Sequence, residues 1–266
     1  MPDTKKLIMI HNSMVKKLSI FVSATMIIML LFYNSVGHAE VNTKLVHDDP
    51  SAYFTGSSLD LVRSIDSENY DKVNKIIMSG TSINSTGKEG ITPVLWCLHT
   101  NNYIGLKKLL DLGADPNLAS ENGYSPVYFA AGFRKDSIFL QILLEHGGNP
   151  NSRYDNDFNQ AALAHSADNH NIDNMKLLLQ YGADIEAEDR TGYTPLISAA
   201  TLNQFNAVAF LIEKGANFRH VTKRGNSLIK LISEKRGDGG TKELQASIEH
   251  VVQMLEARGV KFDKAQ

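Results

Sequence analysis

A glycine recurs along this chain at an almost constant interval, and this interval limits the possible folds more than any other feature. The glycines are Gly80, Gly113, Gly147, Gly182 and Gly215, at spacings of 33, 34, 35 and 33 residues. An apolar residue stands seven positions and another four positions before each glycine. Positions three apart share one face of an α-helix. Each glycine is therefore predicted to follow a helix and to take the left-handed backbone conformation there.

A second pattern begins about 12 residues after these glycines. It is a hydroxyl residue followed by proline, at Thr92-Pro93, Ser125-Pro126 and Thr194-Pro195. A hydroxyl side chain can cap a helix, and proline is favoured at the first helical position because its missing N–H group would have no partner there. Small residues such as Cys97 and Ala130 follow, and they allow close helix packing. Each unit is therefore predicted to contain two helices joined by a tight turn and followed by an extended loop.

The period and three of the segments resemble the ankyrin repeat. These segments are TPVLWCL, SPVYFAA and TPLISAA, while AALAHSA at 161–167 and NSLIKLI at 226–232 fit the register without Thr-Pro. The resemblance implies an all-α fold, an ankyrin-repeat α-solenoid of about six helix-turn-helix units with extended β-turn loops. It covers residues 58–262. One helix pair needs a neighbour to bury its apolar face, and the two end units are atypical because each has one face in water. Residues 40–57 are predicted to form an irregular leader.

Residues 1–39 have the layout of a secretory signal peptide. Lys16 and Lys17 precede an apolar run at 18–32, and Gly37-His38-Ala39 is a small-x-small cleavage pattern. The run is shorter than the roughly 20 residues that a membrane span takes, although an uncleaved signal anchor is the alternative. We expect cleavage after Ala39 and, since the signal is typical of bacteria, a mature chain in the periplasm.

Composition argues against general binding to nucleic acid and against sites built from cysteine. The chain has a net charge of −2, and the part after residue 39 carries 23 basic and 28 acidic residues. General binding to nucleic acid requires a basic surface. A single cysteine, Cys97, excludes an internal disulfide and a cysteine-based metal cluster, and we interpret it as a buried structural thiol.

The candidate metal ligands and catalytic residues have weak patterns. His165 and His170 are five residues apart, which fits one helix face poorly, and they are interpreted as structural or solvated. The segment 155–159 resembles the opening of a calcium loop but lacks its glycine and its final acidic residue. A solenoid presents an open surface in place of an enclosed pocket. We therefore expect no cofactor, no bound metal, no catalytic residue and no enzymatic activity.

The resemblance also implies where a protein partner would bind, namely on the loop tips and the inner face of the first helices. By register, the candidate partner-binding residues are Ile91, His99, Thr100, Glu121, Tyr124, Phe133, Arg153, Tyr154, Asp155, Asp168, Asn169, Glu188, Arg190, Tyr193 and Leu202. The four aromatic residues in this set are expected to face water and to act as anchors. The alternative is that they pack between adjacent loops and serve only the stack.

These features lead to a hypothesis of an exported protein-binding scaffold. The chain resembles periplasmic ankyrin-repeat proteins of Gram-negative bacteria, some of which are immunity proteins. This resemblance implies an inhibitor that occludes a secreted antibacterial toxin, for example a lipase effector. The alternatives are an adaptor or assembly factor for an envelope enzyme, for example in oxidative-stress defence, and an enzyme whose site the sequence does not reveal.

Overall fold

The computed structural model describes residues 49–134, 136–236 and 240–262. Within them, twelve α-helices form six consecutive pairs, as the sequence predicts. The pairs are α1 (Gly56–Asp66) with α2 (Tyr70–Met78), α3 (Pro93–His99) with α4 (Tyr103–Asp111), α5 (Pro126–Phe133) with α6 (Ile138–Glu145), α7 (Ala162–Asp168) with α8 (Ile172–Gln180), α9 (Pro195–Thr201) with α10 (Phe205–Glu213), and α11 (Leu228–Lys235) with α12 (Lys242–Glu256). The predicted signal peptide at 1–39 lies outside the described residues.

The hydroxyl residues before the prolines cap the first helices as predicted. The Oγ1 atom of Thr92 accepts a hydrogen bond from the backbone N–H of Leu95 at 3.1 Å. Ser125 and Thr194 make the equivalent bonds at 3.2 and 3.4 Å. Helix α7, which lacks the Thr-Pro pair, begins after Ala161 without a side-chain cap. There the amide of residue 162 donates instead to the carbonyl of Ser152 at 2.8 Å.

The recurrent glycines close the second helices in the predicted conformation. All five have φ between 86° and 99°. The apolar residues seven positions before them are completely buried, and so are four of the five that stand four positions before them. The exception, Ile76, is only partly buried because its unit is the first and has a neighbour on one side only.

Consecutive units are also joined at their turns by a row of polar side chains. The Oδ1 atom of Asn84 accepts from the amide of Asp115 at 2.9 Å, and Asn117 and Asn151 accept in the same way from the following unit at 2.7 Å each. Glu186 continues the row through the amide of Asn217. These bonds fix the spacing of neighbouring units and therefore the spacing of their loops.

The start of the array contains more order than the predicted irregular leader. A 3₁₀ helix spans Pro50–Ala52, and α1 begins at Gly56, two residues before the predicted boundary. Phe54 is buried and lies edge-on to the buried Trp96, with their ring centroids 5.9 Å apart. The first unit therefore gains an apolar cover where no preceding repeat exists. Among the described helices, none combines the length and the apolar character that spanning a bilayer requires.

Candidate functional site

An open hollow of about 340 Å³ lies where three consecutive loops meet α5 and α7. Its walls come from the loops at 112–125, 146–161 and 181–194 and from the two helices. The lining residues are Tyr124, Tyr128, Phe133, Tyr154, Asn156, Phe158, Gln160, His165 and Asp189. Six of these nine carry aromatic rings, so ring surface and polar groups share the hollow.

The rings of the hollow pack on one another across the repeats. Tyr124 and Tyr154 stack with their centroids 4.3 Å apart and their planes at 14°. Tyr128 stacks on His165 at 4.2 Å, and Phe133 lies edge-on to the same imidazole at 4.6 Å. Since these contacts join residues of different units, the stacking of the repeats itself assembles the hollow.

The loop at 146–161 is two residues longer than the loops before and after it, and the extra length places Phe158 at the surface. The Oδ1 atom of Asn156 accepts from the backbone amides of Phe158 and Asn159, at 3.0 and 2.9 Å. The carbonyl of Phe158 accepts from the amide of Arg190 in the next loop at 2.9 Å. Phe158 remains 59% exposed although its backbone is anchored on both sides.

His165 is buried and uncharged at neutral pH. Burial lowers the pKa of its imidazole to about 4, because removal from water disfavours the charged form. Its Nδ1 atom lies 3.2 Å from the carbonyl of Tyr128, which makes that nitrogen the N–H donor. The ring therefore contributes shape to the hollow and carries no positive charge there.

A chain of hydrogen bonds runs from the hollow to a carboxylate behind it. The hydroxyl of Tyr128 donates to Gln160 at 2.7 Å, and the Gln160 amide donates to Asp168 at 2.5 Å. Ser198 donates to the same Asp168 oxygen at 3.0 Å, while the Oδ1 atom of Asp168 has no partner among the described residues. Burial, with a smaller contribution from the charge of Asp189, raises the pKa of the Asp168 carboxyl to about 6.

Asp189 places a second carboxylate directly in the wall. Its Oδ1 atom accepts from the amide and hydroxyl of Thr191, at 2.8 and 2.7 Å, and from the amide of Tyr193 at 2.9 Å. Its Oδ2 atom accepts no hydrogen bond from any residue that the structure describes. One oxygen therefore holds the loop in shape and the other remains available.

Three of the fifteen residues predicted to bind a partner line this hollow, namely Tyr124, Phe133 and Tyr154. The four aromatic positions that are expected to face water differ in their exposure. Tyr124, Tyr154 and Tyr193 are half-buried, because the first two stack on each other and Tyr193 accepts a hydrogen bond from Asn226 at 2.6 Å. Phe133 is exposed. The aromatic residues therefore serve the stack and form a surface at the same time.

The other predicted residues lie in the loops or near the ends of the first helices, and some of them already have partners. Arg153 donates to the carbonyls of Asn159 and Glu188, at 2.9 and 2.8 Å, and so links two loops. Ile91 and His99 lie beside Trp96 at the start of the array. The remaining residues are part of loops or helix ends along the same register: Thr100, Glu121, Asp155, Asp168, Asn169, Arg190 and the exposed Leu202.

Register alone missed Phe158, Tyr128 and Asp189. Phe158 lies in the inserted part of a loop, where the repeat has no equivalent position. The greater length of this loop is the signal that could have indicated it. In the segment whose opening resembles a calcium loop, the Oδ1 atom of Asn156 accepts backbone amides. Within the described ranges, no group of three potential ligands is placed to hold a metal ion.

The loop edge around the hollow is acidic. The loops at 112–125, 146–161 and 181–194 together carry eight acidic and two basic residues. The following loop, at 214–227, carries four basic residues and no acidic one. Charge therefore changes sign along the array, and the hollow lies in the negative part.

Comparison with known proteins identifies the repeats. The family model described as "Ankyrin repeats (3 copies)" matches residues 133–222. The putative ankyrin repeat protein YahD of Escherichia coli (strain K12) is 25% identical over 195 residues, which are 71% of this chain and 90% of that protein. The human SH3 and multiple ankyrin repeat domains protein 2 is 28% identical over 139 residues, 52% of this chain. The chain spans only 7% of that human relative.

A solved structure has the same architecture. The crystal structure of EF0377, an ankyrin repeat protein, is similar with a TM-score of 0.62 and 26% sequence identity. The similarity covers 75% of this chain and 98% of that one. The described helix pairs therefore have the ankyrin-repeat fold.

Proposed function

We propose that this chain, whose described helix pairs have the ankyrin-repeat fold and whose residues 133–222 match the ankyrin-repeat family model, binds and inhibits one specific protein in the bacterial periplasm. Ankyrin repeats imply a scaffold for protein–protein interaction. The partner is a secreted antibacterial toxin, for example a lipase effector, and the chain acts as its immunity protein. The mechanism is occlusion, in which the loop edge covers the mouth of the toxin's active site. The scaffold itself performs no chemistry.

The aromatic hollow carries this proposal. It combines an exposed ring, Phe158, with rings that are held rigidly by stacking, and rigid aromatic anchors bind with little loss of side-chain entropy. The hollow is open, so it suits a protruding side chain or loop of another protein better than an enclosed small molecule. The acidic residues around the hollow would attract a basic patch on the partner and so help to orient it.

Export is proposed from the sequence of residues 1–39, with its basic start, apolar run and Gly-His-Ala cleavage pattern. Fractionation tests this step. The full-length chain is expected in the periplasmic fraction with an N-terminus at Glu40, and a variant lacking residues 1–39 in the cytosol. Retention of the full-length chain in the cytosol would contradict the proposal.

Inhibition is tested with the producing strain and with purified proteins. Deleting the gene is expected to kill cells only while the toxin gene is intact, and the purified mature chain should abolish the toxin's activity at a 1:1 ratio. Phe158→Ala should weaken this inhibition. Met78 is also exposed and apolar but lies on the first unit, away from the hollow, so Met78→Ala should leave the inhibition unchanged. A partner that keeps its full activity in the complex would instead support an adaptor for an envelope enzyme.

A further inference from the structure

We propose that the aromatic hollow binds an arginine side chain of the protein partner, with the guanidinium group against the aromatic rings and paired with the Oδ2 atom of Asp189. This inference rests on the proposed function as a protein-binding scaffold. It adds the chemistry of the partner's anchoring residue, which the proposed function leaves open.

The first argument is the ring surface. The faces of aromatic rings attract cations within about 6 Å, and the guanidinium group is the cation most often found there. Phe158 and Phe133 are 59% and 39% exposed at the hollow, and Tyr124 and Tyr154 form a rigid stacked pair beside them. Several rings therefore border one space that a planar cation can enter.

The second argument is charge. None of the nine residues that line the hollow is lysine or arginine, whereas Asp189 is in its wall. The guanidinium of the neighbouring Arg153 already donates to two carbonyls, and His165 is uncharged at neutral pH. Asp168 stands behind the hollow as a second carboxylate whose ionised form is disfavoured by burial and by Asp189. The nine lining residues therefore carry one negative charge, that of Asp189, and no positive charge to balance it.

The third argument concerns which side chain fits. An apolar anchor would cover the Oδ2 atom of Asp189 without offering it a hydrogen bond, and a buried acceptor without a donor destabilises a complex. Lysine would supply charge as a compact, strongly hydrated group. Arginine instead supplies a planar group that stacks on rings and donates several hydrogen bonds in one plane. This combination matches aromatic walls with one free carboxylate oxygen.

The experiment uses a small probe and its neutral equivalent. N-acetyl-arginine amide is titrated into the purified mature protein while NMR records the ring signals of the hollow, and N-acetyl-citrulline amide is the control of equal shape without charge. The arginine compound is expected to shift the signals of Phe158, Tyr154 and His165 in a saturable way, and the citrulline compound is not. Equal shifts with both compounds, or no shift with either, would overturn the inference.

Two substitutions separate charge from ring surface. Asp189→Asn keeps the Oδ1 acceptor for Thr191 and Tyr193 but removes the charge, and it should weaken probe binding about tenfold. Phe158→Leu keeps an apolar side chain but removes the π face, and it should weaken binding about two- to fivefold. Asp173→Asn, an exposed carboxylate on α8 paired with Lys176, is the matched control and should leave binding unchanged. Unchanged binding in both hollow variants would overturn the inference.

The same variants are then measured against the partner protein, so that the two proposals fail differently. If the partner binds the wild type and Asp189→Asn equally well, the arginine inference is wrong while the scaffold function stands. If the arginine probe binds as expected but the partner stays fully active in the complex, the inhibitory function is wrong while the arginine site stands. The inference is supported if Asp189→Asn binds the partner more weakly and if replacing one arginine of the partner also weakens binding to the wild type.

Discussion

The imidazole ring of His165 lies so close to Gly132 that a Cβ atom at position 132 would come within 2.2 Å of its Cε1 atom. Gly132 is inside helix α5, where glycine is normally unfavourable by about 1 kcal/mol relative to alanine. His165 comes from the next first helix, α7, and stacks on Tyr128 of α5. The absence of a side chain at position 132 therefore makes room for the ring that closes the bottom of the hollow.

Gly132→Ala is expected to destabilise the protein by about 1–3 kcal/mol, because the added methyl group must displace the imidazole. The free energy of unfolding in urea measures this effect. The matched control is the same substitution in a His165→Ala background, where the space is empty. There Gly132→Ala should be neutral or stabilising through its helix propensity, and equal destabilisation in both backgrounds would contradict the described contact.

Asp168 and His165 should contribute to stability with opposite dependence on pH. The folded pKa of Asp168, about 6, exceeds the ordinary value of about 3.9, so the stability from its protonation is lost as pH rises through 6. The folded pKa of His165, about 4, is below the ordinary value of about 6.5, so its contribution is lost as pH falls from 6.5 to 4. In the wild type these two effects partly cancel between pH 4 and 6.

Asp168→Asn isolates one of them. Asparagine can still accept from Gln160 and Ser198, but it carries no charge that burial would disfavour. The stability of the variant relative to the wild type should therefore increase by up to about 2 kcal/mol between pH 4 and pH 8, because only the wild type acquires the buried charge in this range. Urea unfolding of both proteins at pH 4.5, 6 and 8 measures this, and a difference that does not change with pH would contradict the assignment.

The helix pairs could be predicted from the sequence because their signals are local. The glycine after each second helix and the Thr-Pro start of the first helices act within one turn of chain, and both have the predicted roles in the structure. The local signals do not show the contact between Phe54 and Trp96, which lie 42 residues apart in the chain and whose rings meet edge-on. Periodicity contains no information about such contacts.

The hollow was only partly predictable for a related reason. Register showed that Tyr124, Phe133 and Tyr154 lie on the same side of the array, which is correct. It could not show that Tyr124 and Tyr154 stack, because that depends on the distance between neighbouring loops. Phe158 was missed because its loop departs from the repeat. Sequence periodicity therefore locates the surface, while the contacts between units determine its shape.

Asn117 should be important for coupling between the second and third units. Its Nδ2 atom donates to the carbonyl of Gly147 at 3.1 Å, and its Oδ1 atom accepts from the amide of Asn149 at 2.7 Å. Asn117→Ala removes both bonds, but Asn117, Gly147 and Asn149 are exposed and water can hydrate the groups that lose their partners. Unfolding in urea should therefore show a loss of about 0.5–1.5 kcal/mol. Asn122→Ala at a loop tip is the control, because it removes only one exposed hydrogen bond, to the Glu89 carboxylate at 3.3 Å, and it should cost less than about 0.5 kcal/mol.

Gly123 and Gly225 form a natural pair for measuring how closely the loops pack. Both have positive φ, 81° and 78°, so alanine is strained by a similar amount at each position. A Cβ atom at Gly123 would lie 2.5 Å from the carbonyl oxygen of Asp155, whereas one at Gly225 meets nothing within 4 Å. Gly123→Ala should therefore cost about 1–3 kcal/mol more than Gly225→Ala in urea unfolding. Equal costs would show that the loops are further apart than described.

Cys97 should react only when the array unfolds. Its side chain is completely buried in α3, and this burial raises the pKa of the thiol well above its usual range. The reactive thiolate is therefore almost absent in the folded protein. With an aromatic disulfide reagent at pH 8, the labelling rate should be independent of reagent concentration at high excess and equal to the unfolding rate. Rapid, concentration-dependent labelling of the native protein would contradict a purely structural thiol.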